Sequence, residues 1–375
     1  MERYLGENTP KLGFGLMRLP KLADKSIDLE QTCKMVDMFL EAGLTYFDTA
    51  YVYDNGDSER AAKACLVDRH PRDSFTLATK LNVAMGNPTR EEARNQLYVS
   101  LERTGAGYFD YYLLHSIQEN NYKRYEEYGI WDLVKEEKAK GHIKHYGFSF
   151  HDTPELLDKL LTEHPDAEFV QLQINYADME NPHVQSRKCL EVARKHGKGV
   201  VVMEPVKGGQ LANPTDEIKK VFKAADPDAS YASWAIRYVA SQDGIITVLS
   251  GMSNIEQMAD NISYMADFKP LDEKEQAVIK EVQDILEKID MIPCTSCRYC
   301  TKGCPMSIPI NDIFRIRNRQ LLIDNAQDVY DRYEKLTENT GKASDCIQCG
   351  QCEGVCPQHI NIIERLVDCA ANLEK

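Results

Sequence analysis

The stretch IKHYGFSFHDTPELLDKLLTE, residues 143–163, contains one complete strand–turn–helix unit. Its first eight residues, Ile143–Phe150, form a short run rich in aromatic side chains, which is typical of a strand buried on both faces. Thr153 then precedes Pro154, and a capping threonine followed by proline in the first helical position marks the start of a helix. We therefore predict a strand over 143–150 and a helix over 154–163.

The same alternation of strand and helix extends from about residue 10 to residue 270. The other predicted strands are Leu12–Arg18, Thr45–Thr49, Phe75–Lys80, Tyr108–His115, Phe169–Asn175, Gly199–Val206 and Ile245–Gly251. The other predicted helices are Asp28–Glu41, Glu91–Thr104, Ile130–Lys140, Gln185–His196, Ala229–Ser241 and Ile255–Met265. Eight strands that alternate with about eight helices favour an α/β fold of the closed (β/α)8 TIM barrel type over an open sheet. The spacing by itself leaves closure undecided.

Composition restricts the class of protein. The chain has 375 residues, of which 43% are hydrophobic and 28% are charged, as in globular proteins. No apolar run approaches the roughly 18 residues that a membrane span needs, and the N-terminus lacks a secretory signal pattern. The formal net charge of −14 argues against nucleic-acid binding. We expect a cytoplasmic protein of more than one domain that binds neither membranes nor nucleic acids.

Eight of the twelve cysteines lie in two short runs near the C-terminus. The first run reads CTSCRYCTKGCP (294–305) and the second reads CIQCGQCEGVCP (346–357). Both have the spacing C-x2-C-x2-C-x3-C-P that two-cluster bacterial ferredoxins use for 4Fe–4S clusters. Zinc sites commonly use two separated pairs of ligands, and clustered cysteines in a cytosolic chain argue against a disulfide framework. The pattern therefore predicts two 4Fe–4S clusters.

A helix predicted over Asp272–Lys288 precedes the cysteines, and we place the domain boundary at 290. The interval between the two runs reads as helices over Ile310–Arg319 and Asp328–Thr337, so residues 291–375 resemble an α-helical ferredoxin-like domain. That resemblance implies that three cysteines of each run share a cluster with the last cysteine of the other run. One set is then Cys294, Cys297, Cys300 and Cys356, and the other is Cys346, Cys349, Cys352 and Cys304. We interpret the remaining thiols, Cys33, Cys65, Cys189 and Cys369, as packed core residues.

Polar side chains end three successive strands of the predicted barrel. Asp48 ends the second strand, Lys80 the third and His115 the fourth, and Tyr53 follows Asp48 in the run DTAYVY. Each of these residues alone has an ordinary structural interpretation, such as a helix cap or a rim residue. Because the carboxyl ends of barrel strands form the active face, we expect the four side chains to converge there.

These residues resemble the active-site tetrad of the aldo-keto reductase family. Its DTAxxY motif matches 48–53, and further similar segments follow the fifth to eighth strands, so that residues 1–290 resemble its barrel. The resemblance implies a reductase that transfers hydride between NADP or NAD and a small carbonyl or alcohol substrate. In this interpretation Tyr53 donates the proton, Lys80 lowers the pKa of Tyr53, Asp48 pairs with Lys80, and His115 orients the carbonyl oxygen. Alternative phenols are Tyr51, Tyr111 and Tyr112.

The family pattern also suggests contacts to the nicotinamide cofactor. It places Ser149 and Gln171 at the carboxamide, and Gly251, Ser253, Gln257 and Asn261 at the adenosine end. The sequence departs from the pattern in that segment, because Gln257 stands where an arginine is usual. Without that guanidinium the choice between NADP and NAD stays open. The segment 207–225 after the seventh strand is the candidate lid.

Two functions remain after this reasoning. The first is carbonyl reduction, with the clusters in a structural or regulatory role. The second is electron transfer, in which the clusters exchange single electrons with a redox partner protein. Because a hydride carries two electrons and each cluster accepts one, the second function needs an intermediary such as a flavin. No motif specifies a flavin, although a barrel mouth can hold a flavin phosphate.

Overall fold

The computed structural model describes residues 9–182, 184–294, 299–323, 326–356 and 359–374. The chain divides into two compact units. The barrel unit contains the residues up to 207 together with 232–276, and the second unit contains 208–231 and 277–375. The second unit therefore includes the segment after the seventh strand, which lies within the predicted first domain.

Eight parallel strands close into a barrel, as the sequence predicts. They are β1 (Leu12–Gly15), β2 (Tyr46–Asp48), β3 (Thr76–Leu81), β4 (Phe109–Ile117), β5 (Ile143–Phe150), β6 (Phe169–Gln173), β7 (Gly199–Met203) and β8 (Ile245–Ser250). Closure occurs where β1 pairs with β8, with Leu12 opposite Val248. Because all strands are parallel, their carboxyl ends meet at one mouth, where Asp48 and Ser250 end their strands.

The helices follow the strands along the chain. They are α1 (Leu29–Glu41), α2 (Asp57–Ala62), α3 (Arg90–Thr104), α4 (Tyr122–Glu127), α5 (Ile130–Ala139), α6 (Pro154–Glu163), α7 (Ser186–Lys195), α8 (Asp216–Ala225), α9 (Tyr231–Ala240), α10 (Ile255–Met265), α11 (Glu273–Glu287), α12 (Tyr299–Lys302), α13 (Ile310–Leu322), α14 (Ala326–Thr337), α15 (Gln351–Gly354) and α16 (Ile362–Leu373). In the described residues no helix is both long and apolar enough to cross a membrane.

Packing inside the barrel explains the register of its strands. Interior side chains of several strands form one buried cluster: Tyr46, Ala78, Tyr111, Leu113, Phe169, Val201, Ile246 and Leu249. Gly147 on β5 leaves no room for a side chain, because a Cβ atom there would lie 2.2 Å from the carbonyl oxygen of Phe169. This close approach holds β5 against β6, with Ser149 opposite Gln171.

The second unit has a helical core of its own. Ile313, Val329 and Leu366, from α13, α14 and α16, are fully buried. The guanidinium of Arg317 on α13 donates to both carboxylate oxygens of Asp368 on α16, at 2.8 and 3.2 Å. The helical character predicted for the C-terminal domain is thus present in the part of it that the structure describes.

The structure corrects the interpretation of two cysteines and shows a helix inside the candidate lid, whose role as a lid stays a prediction. Cys33 on α1 and Cys65 after α2 form a disulfide instead of two separate core thiols. The candidate lid over 207–225 contains α8, whose inward residues Ile218 and Phe222 are buried. Those two side chains lie one helical turn apart, so the segment has a helical apolar face of its own. Cys189 and Cys369 are buried thiols, as predicted.

Candidate functional site

Lys80 lies at the centre of the candidate active site. Its side chain is fully buried at the end of β3, and the Nζ atom donates to Oδ1 of Asp48 at 2.5 Å and to the carbonyl oxygen of Thr49 at 2.6 Å. A buried ammonium needs such partners, because an unpaired charge in the interior is strongly destabilising. The acid from β2 and the cation from β3 thus form one ion pair at the mouth of the barrel.

Tyr53 and His115 complete the predicted group of four. Tyr53 begins a short 3-10 turn after β2, and the centroid of its ring lies 4.9 Å from Nζ of Lys80. The His115 ring meets the Tyr53 ring edge to face, with 5.6 Å between centroids. The carbonyl of His115 accepts hydrogen bonds from the hydroxyl of Tyr125 at 2.6 Å and the amide of Asn82 at 3.3 Å, which fix the end of β4.

The other three phenols occupy different environments. Tyr111 is part of the buried barrel interior, and Tyr112 is fully buried with a hydroxyl that has no hydrogen-bond partner among the described residues. Tyr51 stacks beneath the guanidinium of Arg103, at 4.3 Å from the ring centroid. Of the four candidates, Tyr53 is the phenol whose ring contacts both Lys80 and His115.

Burial controls the protonation of these groups. Burial raises the pKa of Tyr53 above its ordinary value, and the Lys80 ammonium counters this rise only in part. Lys80 thus acts on the Tyr53 pKa in the expected direction, but the net shift is upward, because desolvation of the phenolate outweighs the attraction of the cation. Burial, together with the charge on Lys80, holds the pKa of His115 well below its usual range. At neutral pH the phenol is thus protonated and the imidazole is neutral.

An ion pair behind the site supports the segment that carries Tyr53. Arg103 on α3 donates through Nη1 to the carbonyl of Tyr51 at 3.0 Å and to Oε2 of Glu59 at 3.1 Å. The other oxygen of Glu59 accepts from the hydroxyl of Thr79, next to Lys80, at 2.7 Å. Sequence reasoning missed this pair, and the alternation of strands and helices contains no signal for it.

Ser149 and Gln171, the predicted carboxamide contacts, lie opposite each other on β5 and β6. The hydroxyl of Ser149 accepts a hydrogen bond from the backbone of Ser116 at 2.6 Å and keeps its proton available to donate. The amide nitrogen of Gln171 contacts the sulfur of Met203 at 3.6 Å. Its buried Oε1 atom has no hydrogen-bond partner among the described residues. A free buried acceptor beside a hydroxyl donor fits a carboxamide ligand such as that of nicotinamide.

The segment after β8 forms a compact turn. Asn254 caps α10 by accepting from the backbone of Gln257 at 2.8 Å, and Oε1 of Gln257 accepts from the backbone of Ser253 at 2.8 Å. Asn261 is buried, where it donates to Ser250 at 2.6 Å and accepts from the hydroxyl of Tyr264. Gly251 is exposed. Of the four predicted adenosine contacts, Gly251 and Ser253 lie in this turn, whereas Gln257 and Asn261 lie on α10. The amide of Asn261 already has two protein partners.

Arg18 is a further charged residue at this mouth that sequence reasoning missed. Its carbonyl accepts from the hydroxyl of Ser253 at 2.7 Å, and its guanidinium pairs with Glu204 after β7 at 3.3 Å. A signal was present in the sequence, because Arg18 ends the first predicted strand just as Lys80 ends the third. The rule that identified the tetrad would have included it.

Four of the predicted cluster ligands line one cavity in the second unit. Cys304, Cys346, Cys349 and Cys352 line this small cavity together with apolar side chains that include Ile308 and Leu366. No group of three acidic, histidine or cysteine side chains in the described residues is close enough to hold a single ion. A 4Fe–4S cluster does not need ligands that converge on one ion, because each of its thiolate ligands binds a different iron. The donor set and the apolar lining fit such a cluster.

The other predicted ligand set is described only in part. Cys300 is buried, and Cys294 and Cys356 are half-buried. Cys297 lies outside the described residues. The assignment of these four cysteines to one cluster therefore stays a prediction.

Comparisons with known proteins identify both parts of the chain. Residues 11–284 match the aldo/keto reductase family, and residues 293–361 match a 4Fe-4S dicluster domain. The chain therefore belongs to the aldo/keto reductase family, carries a 4Fe–4S dicluster domain, and is an oxidoreductase. These matches confirm the family and the domain type that the sequence motifs indicated.

Individual relatives agree with the family match. An uncharacterized oxidoreductase, YqkF, from Bacillus subtilis is 25% identical over 67% of this chain and 86% of its own length. The holo form of aldo-keto reductase AKR11C1 from Bacillus halodurans is 25% identical, with a TM-score of 0.61 over 75% of this chain and 95% of that one. An aldo-keto reductase from Klebsiella pneumoniae in complex with NADPH is 20% identical, with a TM-score of 0.59 over 73% and 91% of the two chains.

Proposed function

We propose that this protein transfers hydride between NADPH or NADH and a small aldehyde or ketone, with Tyr53 as the proton donor. The observation that carries the proposal is the buried Lys80, which contacts the Asp48 carboxylate and the Tyr53 ring at the mouth of the barrel. The NADPH complex of the Klebsiella relative adds support for the cofactor class. When bound, the nicotinamide would supply or accept the hydride.

The residues at the mouth would perform the remaining chemistry. Ser149 and Gln171 would hold the carboxamide through the hydroxyl proton and the free Oε1 acceptor. The neutral imidazole of His115 would hydrogen-bond the carbonyl oxygen of the substrate and direct it towards Tyr53. As negative charge develops on that oxygen, the phenol would give up its proton, and the ammonium of Lys80 would stabilise the phenolate that forms.

Replacement of Tyr53 tests the proton-donor role. The variant Tyr53→Phe should reduce carbonyl turnover by about 10²-fold or more, since a positioned acid commonly contributes that much. Cofactor binding should change less than about twofold, because the ring and the surrounding charges remain. The matched control is Tyr112→Phe, which removes a buried hydroxyl without a hydrogen-bond partner in the described residues and should leave turnover unchanged. Full turnover in Tyr53→Phe would refute the role.

We further propose that the eight cysteines of the two runs bind the clusters in the crossed arrangement. Cys349→Ala should lower the iron content from about eight to about four atoms per chain, because one of two four-iron clusters loses a ligand. Cys369→Ala is the matched control, since that buried thiol on α16 is not among the residues that line the cavity. The iron and acid-labile sulfide contents are measured chemically, and the clusters are followed by electron paramagnetic resonance. An unchanged iron content in Cys349→Ala would contradict the assignment.

Electron transfer to a partner is the second candidate function. It is favoured by the exposure of Cys349 at the edge of the cluster cavity, since an exposed ligand gives an electron a short route to a second protein. This function would need an intermediary that converts the electron pair of a hydride into single electrons. Reduction of the clusters by NADPH in the absence of any carbonyl substrate would favour it over plain carbonyl reduction.

A further inference from the structure

Arg18 lies at the mouth of the barrel beside the turn that follows β8. It ends the 3-10 turn Leu16–Arg18 after β1, and its backbone is fixed by the hydroxyl of Ser253, which donates to its carbonyl. Its side chain runs past Gly251, since a Cβ atom on that glycine would lie 3.4 Å from Cδ of Arg18. The side chain is 49% exposed, so the guanidinium faces solvent next to the predicted adenosine contacts.

The partner of Arg18 is held loosely. Nη2 lies 3.3 Å from Oε1 of Glu204, whose own side chain is 35% exposed. Exposed pairs of this kind contribute about 0–1 kcal/mol, so a better acceptor can displace the carboxylate. A guanidinium has five N–H donors in a fixed fork, which suits the oxygens of a phosphate.

Neighbouring lysines at the mouth are more firmly engaged. Lys207 donates to Asp178, a fully buried carboxylate. Lys21 pairs with Asp54 at 2.9 Å, beside the segment that carries Tyr53. A ligand anion would have to break a pair with a buried carboxylate to recruit Lys207, and a shorter and somewhat less exposed pair to recruit Lys21. Arg18 needs to release only the longer and more exposed pair.

We propose that Arg18 is the phosphate-binding cation of the nucleotide site, a role that the uncharged Gln257 cannot fill. Glu204 then weakens phosphate binding, because it competes for the guanidinium. This inference rests on the proposed function, because it assumes that a nicotinamide dinucleotide binds at the mouth. Arg18 follows β1, the strand that pairs with β8, and lies beside the turn after β8. The position where the family usually has an arginine, here Gln257, follows β8 itself. The residue therefore contributes to cofactor affinity and not to proton transfer.

Titration calorimetry with NADPH and NADH on the anaerobic, cluster-containing protein tests the proposal. Arg18→Gln should weaken the binding of NADPH by about tenfold or more, the size expected for a charged hydrogen bond. An equal loss for NADH would place the bridging diphosphate on Arg18, and a loss confined to NADPH would place the 2′-phosphate there. Both results support the assignment. The charge-matched control is Arg194→Gln at the opposite end of the barrel, where the side chain caps the carbonyl of Asp243.

The variant Glu204→Gln tests whether Glu204 competes with the phosphate for Arg18. It should tighten NADPH binding by about twofold to fivefold in the wild-type background and have no effect when Arg18→Gln is also present, because the competition acts only through the guanidinium. Unchanged dissociation constants in a folded Arg18→Gln variant would overturn the assignment while the proposed function stands. Failure of the wild-type protein to bind either nucleotide would overturn both.

Discussion

Lys80 is the residue that connects the other groups of the candidate active site. Its ammonium pairs with Asp48, binds the carbonyl of Thr49 and lies against the Tyr53 ring. Burial alone would lower the pKa of Lys80, but the Asp48 carboxylate, together with the interaction with Tyr53, outweighs that effect and raises it. The lysine is therefore a permanent cation, and removal of either partner of this buried pair should destabilise the fold by about 3–5 kcal/mol. For this reason Tyr53 and not Lys80 is the informative residue to replace.

The pH dependence of turnover follows from the same environment. Because burial raises the pKa of Tyr53 above its ordinary value of 10.0, the protonated donor should persist through alkaline pH. Because the pKa of His115 lies well below its ordinary value of 6.5, the imidazole stays neutral even at pH values somewhat below 6.5. We expect kcat for carbonyl reduction to stay near its maximum from about pH 6.5 to 9 and to fall only above about pH 10. Steady-state rates at saturating NADPH measure this, with the visible absorbance of the clusters as a check on integrity.

A fall of kcat centred near neutral pH would contradict this protonation scheme. Such a fall would mean that a group with a pKa near 7 acts as the acid. The Tyr53→Phe variant supplies the baseline, since its residual rate should lack the alkaline transition.

Among the secondary-structure elements, the turn between β2 and α2 has the largest effect on the position of Tyr53. Asp54, Asn55 and Gly56 all have left-handed backbones, with φ of 48°, 55° and 92°. Left-handed conformations cost about 1 kcal/mol or more for residues other than glycine, so the turn needs outside support. Arg103 on α3 provides it, through the carbonyl of Tyr51. A helix on the outside of the barrel thus positions the proton donor at its mouth.

Replacement of Gly56 tests this support. A Cβ atom at Gly56 would lie 2.6 Å from Cζ of Arg103, so Gly56→Ala must displace the guanidinium. We expect kcat to fall by about tenfold while nucleotide binding stays within twofold, because the displaced turn carries Tyr53 and not the cofactor contacts. Gly43→Ala is the control, since that glycine has φ of 76° and no neighbour within 4 Å. Both variants should lose about 1 kcal/mol of stability from backbone strain, measured by thermal unfolding.

Equal kcat values in the two glycine variants would show that the Arg103 contact does not position Tyr53. Nucleotide binding distinguishes a catalytic effect of Gly56→Ala from a loss of folding. A folded variant with low kcat should still bind the nucleotide, whereas an unfolded one should not. Arg103→Lys offers a second check, because it keeps the charge and loses the planar fork.

Local signals were sufficient to predict most of the elements. The strand over 143–150 and the helix over 154–163 have their predicted bounds, because a run of aromatic residues and a Thr153–Pro154 start are local features. Helix α8 was missed within 207–225, where glycines and Pro214 favour a loop. Arg18 itself could have been found at a predicted strand end, but its pairing with Glu204 could not. Like the Cys33–Cys65 disulfide, that pairing joins residues that only the closed fold brings together.

The candidate site was predicted to a similar extent. Three strand-end residues and the DTAxxY motif identified the tetrad before any geometry was known, since the rule that strand ends meet at one mouth is general. The direction of the Tyr53 pKa shift could not be predicted, because it depends on how far burial exceeds the attraction of Lys80. Burial is a property of packing and leaves little trace in the sequence.

At the scale of the whole molecule, the chain combines two units with different chemistry. The barrel unit presents an acid–base group suited to supplying the proton that accompanies a hydride, and the second unit presents cysteines suited to single electrons. Nothing in hydride transfer to a carbonyl requires a cluster. We therefore propose that the barrel catalyses hydride transfer by itself, with Tyr53 as the acid.

The most direct test follows a labelled hydride. NADPH deuterated at the transferable C4 position would be mixed anaerobically with the cluster-containing protein and a panel of small aldehydes and ketones, while cluster absorbance is recorded. We predict deuterium on the carbinol carbon of the product, unchanged cluster absorbance during turnover, and loss of labelled product in Tyr53→Phe. Consumption of the labelled cofactor with cluster reduction and no deuterium in any alcohol would contradict the account.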